Sequence, residues 1–140
     1  MSNPKRHARL HWSTEDPVFR GTAGDQGKAT LILDGSSTDG PSPMEALLLS
    51  LAGCMAVDIQ MILEKGRVPL ETLDVAVEGE RAPTPPKRYI RIVMDVHTRG
   101  PGQEDRGKVE RAVELSRDKY CSVFHTLDPE LETEIRIHLD

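Results

Sequence analysis

The chain has 140 residues, enough for one compact domain with its own core. Charged residues make up 29% of it, and 18 Lys and Arg against 23 Asp and Glu leave a formal charge of −5, which argues against a phosphate-binding surface. Aromatics are only 4%, too few for base-stacking platforms, so nucleic acid is excluded and small molecules or proteins remain as partners.

In chain order, Met1-Ser2-Asn3-Pro4-Lys5-Arg6 runs straight into polar residues, so no secretory leader is expected and the expected compartment is the cytoplasm. Arg6–Trp12 and Lys28–Leu33 read as strands. They flank a turn-rich stretch, Thr14–Gln26, that holds Asp16-Pro17 and a short strand at Val18–Arg20. Asp34–Gly40 is a Gly/Ser loop feeding a long apolar helix. Ser42 is a good N-cap for it, Pro43 suits the first helical position, and Glu45 completes a Ser-x-x-Glu capping box. Lys65, then Gly66 at the C′ position and Pro69 beyond it, mark the end.

This helix has no polar stripe, so burial on all faces is expected. The run Ala46–Leu63 is nearly long enough to span a bilayer, but it carries Ser50, Asp58 and Gln60, and no membrane role is expected. Leu73–Glu80 and Arg88–His97 alternate as a half-buried hairpin around the loop Ala82-Pro83-Thr84-Pro85-Pro86. From Glu104 to Tyr120 the spacing of Val109, Ala112, Val113, Ser116 and Tyr120 is helical. A last strand, Glu132–Leu139, puts Ile135, Ile137 and Leu139 on one face. The pattern is α+β with a mainly antiparallel sheet. One sheet covers one side of an all-round apolar helix, so a second copy of the chain is expected on the other.

Only two cysteines are present. Cys54 sits in the apolar helix beside Gly53, with Ser50 one turn before and Asp58 one turn after. A lone cysteine in such a helix is ordinarily a small core hydrophobe. Gly53 weakens that reading, because glycine in a helix costs about 1 kcal/mol relative to alanine and is kept where something approaches the backbone. Asp58 alone would raise a nearby thiol pKa, so a reactive thiolate needs a cation, most naturally an arginine that the carboxylate would hold. Cys121 follows the amphipathic helix, and a thiol near a helix C-terminus is the less acidic kind, suited to resolving rather than attacking. His125 lies one turn on, but His7, His11, His97 and His138 offer no paired spacing, so no metal and no cofactor are expected. Glu45 is nine residues before Cys54, about half a revolution and roughly 13 Å away along one helix, so the two cannot touch within it.

The helix entrance Ser42-Pro43-Met44-Glu45, the triplet Ala52-Gly53-Cys54, and Cys121 within Lys119-Tyr120-Cys121-Ser122-Val123 ahead of a final strand resemble the OsmC/Ohr family of osmotically induced and organic hydroperoxide resistance proteins. Element order matches over essentially the whole chain as one OsmC-like domain, residues 1–140. The resemblance implies antiparallel sheets packed around long buried central helices in an intertwined homodimer. It also implies a thiol peroxidase, in which Cys54 attacks an organic hydroperoxide to give a sulfenic acid, Cys121 condenses with it to a disulfide, and an external thiol or dithiol resets the pair. Arg20, in the loop after the first strand, is the positional match for the family's thiolate-stabilising arginine, and Glu45 for its glutamate. Two departures place the chain nearer the less characterised OsmC-like branch. The glutamate is displaced by one residue, about 100° of helix rotation, and Ser122 rather than proline follows the second cysteine. The alternative on the same scaffold is a non-enzymatic dimeric binding or redox-responsive protein. A hydrolase or transferase lacks a Cys–His–Asp arrangement.

Overall fold

Residues 3–140 are described by a computed structural model. The chain packs as two compact units dividing at Leu47/Leu48, taken here in turn.

In the first unit, strands β1 (Ala8–His11), β2 (Phe19–Ala23) and β3 (Ala29–Leu33) form an antiparallel meander. Its register pairs His11 with Arg20 and Arg20 with Ile32. The expected short strand at Val18–Arg20 therefore exists but runs on to Ala23, and Arg20 is a strand residue rather than a loop residue. Between β3 and the helix, the Asp34 carboxylate accepts the backbone N–H groups of Ser36, Thr38 and Asp39, which curls the loop around it. Gly40 is required there, because a Cβ would collide with the Ile32 carbonyl. The capping box at the entrance of α1 (Pro43–Lys65) is formed as expected. Ser42 Oγ accepts the Glu45 N–H at 3.2 Å, and Glu45 Oε1 accepts the Ser42 N–H at 2.9 Å.

In the second unit, β4 (Thr72–Arg81), β5 (Tyr89–Arg99) and β6 (Glu132–Leu139) form one sheet in the order β4-β5-β6. The β4–β5 hairpin is antiparallel as expected, but β6 pairs parallel to β5, so the sheet is mixed. The alternation of a strand reveals its buried face and not its direction. Direction is set by the connection, here a helical crossover that returns the chain to the end where β5 began.

That crossover holds α2 (Arg106–Leu115), a π-helical turn (Ser116–Tyr120) and α3 (Ser122–Thr126). The helix expected over Glu104–Tyr120 is thus regular only in its middle. Leu51, Met55, Ile59 and Leu63, each four residues apart on α1, are buried, and the core joins them to Val109, Ala112 and Val113 of α2 and to Ile92, Met94 and Val96 of β5.

Two details correct the sequence reading of α1. Within the chain it is buried on one stripe only, and Leu49, Val57 and Met61 remain 58%, 57% and 49% exposed. The left-handed residue at its end is Arg67 (φ 57°), one beyond Gly66. Arg67 N–H donates to the Glu64 carbonyl and Val68 N–H to the Leu63 carbonyl, the paired bonds of a Schellman end, with Val68 packed in the same cluster as Leu63.

Candidate active site

Cys54 and Cys121 come together in one apolar cluster. Both are free thiols, Cys54 partly buried and Cys121 0% exposed, packed with Leu51, Met55, Ile92 and Met94. A thiol inside an apolar cluster loses the solvation of its charged form. Burial is accordingly the main reason the Cys121 thiol is pushed up to about 11; Cys54 and the Asp58 charge push the same way, against the Phe124 N–H. The helix C-terminus named from sequence is not the cause. Cys121 is extended (ψ 100°) and caps the start of α3, where its sulfur accepts the Phe124 N–H at 3.4 Å.

The turn before it sets that position. Cys121 N–H donates to the Ser116 carbonyl at 2.7 Å, an i→i+5 bond that widens the helix by one residue. Ser116 is fully buried, and its hydroxyl donates to Asp58 Oδ2 at 2.8 Å. Asp58 therefore has a hydroxyl partner where sequence suggested an arginine. In sequence Ser116 is only an apolar-face position in a helical spacing, and nothing in its neighbours along the chain signals the contact. Beside Asp58 lies a cleft of about 310 Å³ lined by Met61, Ile62, Lys65, Leu115 and Tyr120.

The other two candidates belong to the first unit. Arg20 Nε lies 2.5 Å from Asp16 Oδ2, and both side chains are half exposed. The bond holds the Asp16 carboxyl below the usual carboxylate range and the guanidinium above its own. Glu45, besides its capping bonds, accepts the Ser37 hydroxyl, and these contacts hold its carboxyl below the usual range. Both are thus engaged inside their own unit. His125 packs edge-on to Phe124, ring centroids 5.5 Å apart. Two histidines without paired spacing in sequence, His97 and His138, are neighbours across the β5–β6 register. No group of three or more His, Cys, Asp or Glu placed to hold a metal occurs among the described residues.

Comparison with known proteins agrees with this architecture. The pattern of the family described as "OsmC-like protein" matches residues 34–136. Protein YhfA of Escherichia coli (strain K12) is 37% identical over 122 residues, covering 86% of this chain and 88% of that protein. A hypothetical protein from Aquifex aeolicus VF5 superposes with a TM-score of 0.83 at 27% identity, over 99% of this chain and 98% of its own. An organic hydroperoxide resistance protein OsmC from Legionella pneumophila shares the fold at a TM-score of 0.66 and 15% identity, over 99% of both chains. With a family pattern covering most of its length and a relative above one-third identity, this α+β chain belongs to the OsmC-like protein family.

Proposed function

We propose that the chain is a thiol peroxidase that reduces organic hydroperoxides. The observation that carries this reading is the pair of free thiols packed in one apolar cluster, brought together from α1 and from the turn before α3. The Cys54 sulfur attacks the distal peroxide oxygen, the O–O bond breaks, and the alkoxide leaves as alcohol after taking a proton. Cys54 is then a sulfenic acid. Cys121 displaces its hydroxyl as water, and the resulting disulfide is returned to two thiols by an external dithiol. Family likeness supports the same chemistry, since an organic hydroperoxide resistance protein shares the fold. The apolar side chains around the pair favour organic peroxides over hydrogen peroxide.

The same likeness offers Arg20 as the cation of the thiolate and Glu45 as its orienter, and a second copy of the chain as the cover for Leu49, Val57 and Met61. Cytoplasm is the compartment in which two reduced thiols of this kind work. Stopped-flow consumption of cumene hydroperoxide with excess dithiothreitol tests the reading. Wild type should exceed Cys54→Ser by orders of magnitude, and equal, negligible rates would remove it. One observation favours a second reading, a dimeric redox-responsive protein without rapid turnover: a Cys121 thiol raised to about 11 is slow to close a disulfide unaided.

A further inference from the structure

Four side chains close a small rectangle. On α1, Cys54 and Asp58 stand one turn apart, about 6 Å along the axis. Facing them, Ser116 and Cys121 are five residues apart and joined by the 2.7 Å backbone bond of the π turn. Along one side the two thiols share the cluster of Leu51 and Met55, and along the other the Ser116 hydroxyl meets the Asp58 carboxylate at 2.8 Å. In an ordinary α-helix, residues five apart diverge by about 140°. The widened turn is what lets Ser116 and Cys121 address the same stripe of α1.

We infer that Asp58 is the proton acceptor for the disulfide-forming half of the cycle, with Ser116 as the positioning residue that fixes its carboxylate. The inference rests on the thiol exchange proposed above and deepens it. Cys121 needs such a partner, because a thiol at about 11 is ionised in only about one molecule in ten thousand at pH 7. The titratable groups acting on it are Cys54, already oxidised at this stage, and Asp58. An ionised carboxylate has about four acceptor sites, and the Ser116 hydroxyl occupies one. Around the carboxylate, the cleft presents Lys65 and Tyr120 as its other polar side chains and gives water a way out.

The step balances without an added reagent. The Cys121 S–H and the Cys54 S–OH become one S–S bond and one water. The Cys121 sulfur supplies the electron pair, the S–O bond breaks, and the thiol proton passes to Asp58 and on to the departing hydroxide. Because a thiol is much less acidic than a carboxylic acid, the proton moves as the S–S bond forms and not before it.

Two measurements test this on the full-length chain. In the first, one equivalent of cumene hydroperoxide is added, with dimedone trapping to follow the sulfenic acid and thiol loss to follow the disulfide. Asp58→Asn should still form sulfenic acid but close the disulfide at least tenfold more slowly than wild type. In the second, Cys54 is converted to its mixed disulfide with Ellman's reagent, and release of the second thionitrobenzoate reports attack by Cys121 without any peroxide.

The sign is diagnostic. A purely electrostatic Asp58 would make Asp58→Asn faster, since its charge holds the Cys121 thiol up. A proton acceptor makes it slower and steeper, since release without it falls about tenfold per pH unit with the Cys121 thiolate fraction, where wild type stays nearly flat around neutral pH. Ser116→Ala should slow release less and give a profile between the two. Asp58→Glu should recover part of the rate, and circular dichroism checks that each variant folds. Release from Asp58→Asn at or above the wild-type rate, or slowed with an unchanged pH profile, overturns the inference. A wild type that makes no sulfenic acid but whose thionitrobenzoate release still depends on Asp58 sinks the peroxidase reading alone.

Discussion

His97 and His138 stack face to face across two parallel strands, ring centroids 4.4 Å apart and planes 12° from parallel. Each is tied to a different carboxylate: His97 Nδ1 lies 3.0 Å from Asp140 Oδ2 and His138 Nε2 lies 2.8 Å from Asp95 Oδ1. The His138 bond is the main reason the Asp95 carboxyl is held below the usual carboxylate range, helped by the charges of Arg136 and His97. A lowered carboxylate stabilises the fold above its unfolded pKa, near 4, and that contribution fades as pH falls through the folded value. His138→Ala should therefore move the Asp95 titration, followed by carboxyl-carbon NMR, back up toward the ordinary range. It should also flatten the acid-side decline of the urea midpoint. An unmoved Asp95 titration would show that the contact is not maintained in solution.

Asp16 competes for Arg20. If the guanidinium is the cation that assists the Cys54 sulfur, Asp16→Asn should raise the rate of sulfenic acid formation severalfold, and Arg20→Ala should lower it at least tenfold. Neither should shift the thermal midpoint much, because the pair is half exposed and screened by solvent. An Arg20→Ala enzyme with the wild-type rate would take Arg20 out of the chemistry.

Glu45 holds the helix entrance, and its two possible roles separate by substitution. Ser42→Ala removes an N-cap and should cost about 1 kcal/mol, which lowers the thermal midpoint by about 3 °C for a chain of this size. Glu45→Gln keeps an acceptor for the Ser42 N–H and the Ser37 hydroxyl, so its midpoint should stay close to wild type. A tenfold loss of peroxide reduction in that stable variant would mark Glu45 as part of the reaction. An unchanged rate would leave it a cap.

Leu49, Gly53 and Val57 follow one another at one-turn spacing on the exposed side of α1. A Cβ on Gly53 would meet nothing within 4 Å in this chain, so nothing in a single copy demands glycine there. Gly53→Leu should then leave a monomer unharmed and disrupt a dimer whose backbones approach at that point. Light scattering after size exclusion should give a dimer mass for wild type and a monomer mass for Gly53→Leu and Val57→Glu. A wild-type monomer at micromolar concentration would refute the covering by a second copy.

The parts of the fold legible in sequence are those governed by local rules. Ser42, Pro43 and Glu45 announce the start of α1 because capping is a contact within three residues. Ile135, Ile137 and Leu139 announce β6 because alternation is local too. What sequence left open depends on connections and on partners distant along the chain. The parallel pairing of β6 comes from the crossover, and the outer stripe of α1 is exposed because the β4-β5-β6 sheet and the crossover helices pack on its other side. Ser116 looked like an ordinary helix position because a π turn has no periodicity of its own. His97 and His138 became neighbours only through strand register. The Schellman end sits at Arg67 and not at Gly66, because the last backbone bonds of a helix fix its end and a neighbouring glycine only marks the region.

Between Ser116 and Cys121 the chain must keep the width of its turn more strictly than its side chains. Asp118 and Lys119 are exposed and make no core contact, so either tolerates exchange. Wound as an ordinary α turn, the same five-residue step would carry Cys121 about 140° around the axis from Ser116. The place of the sulfur in this segment thus depends on the 2.7 Å bond that widens the turn and not on the exposed side chains that make it up.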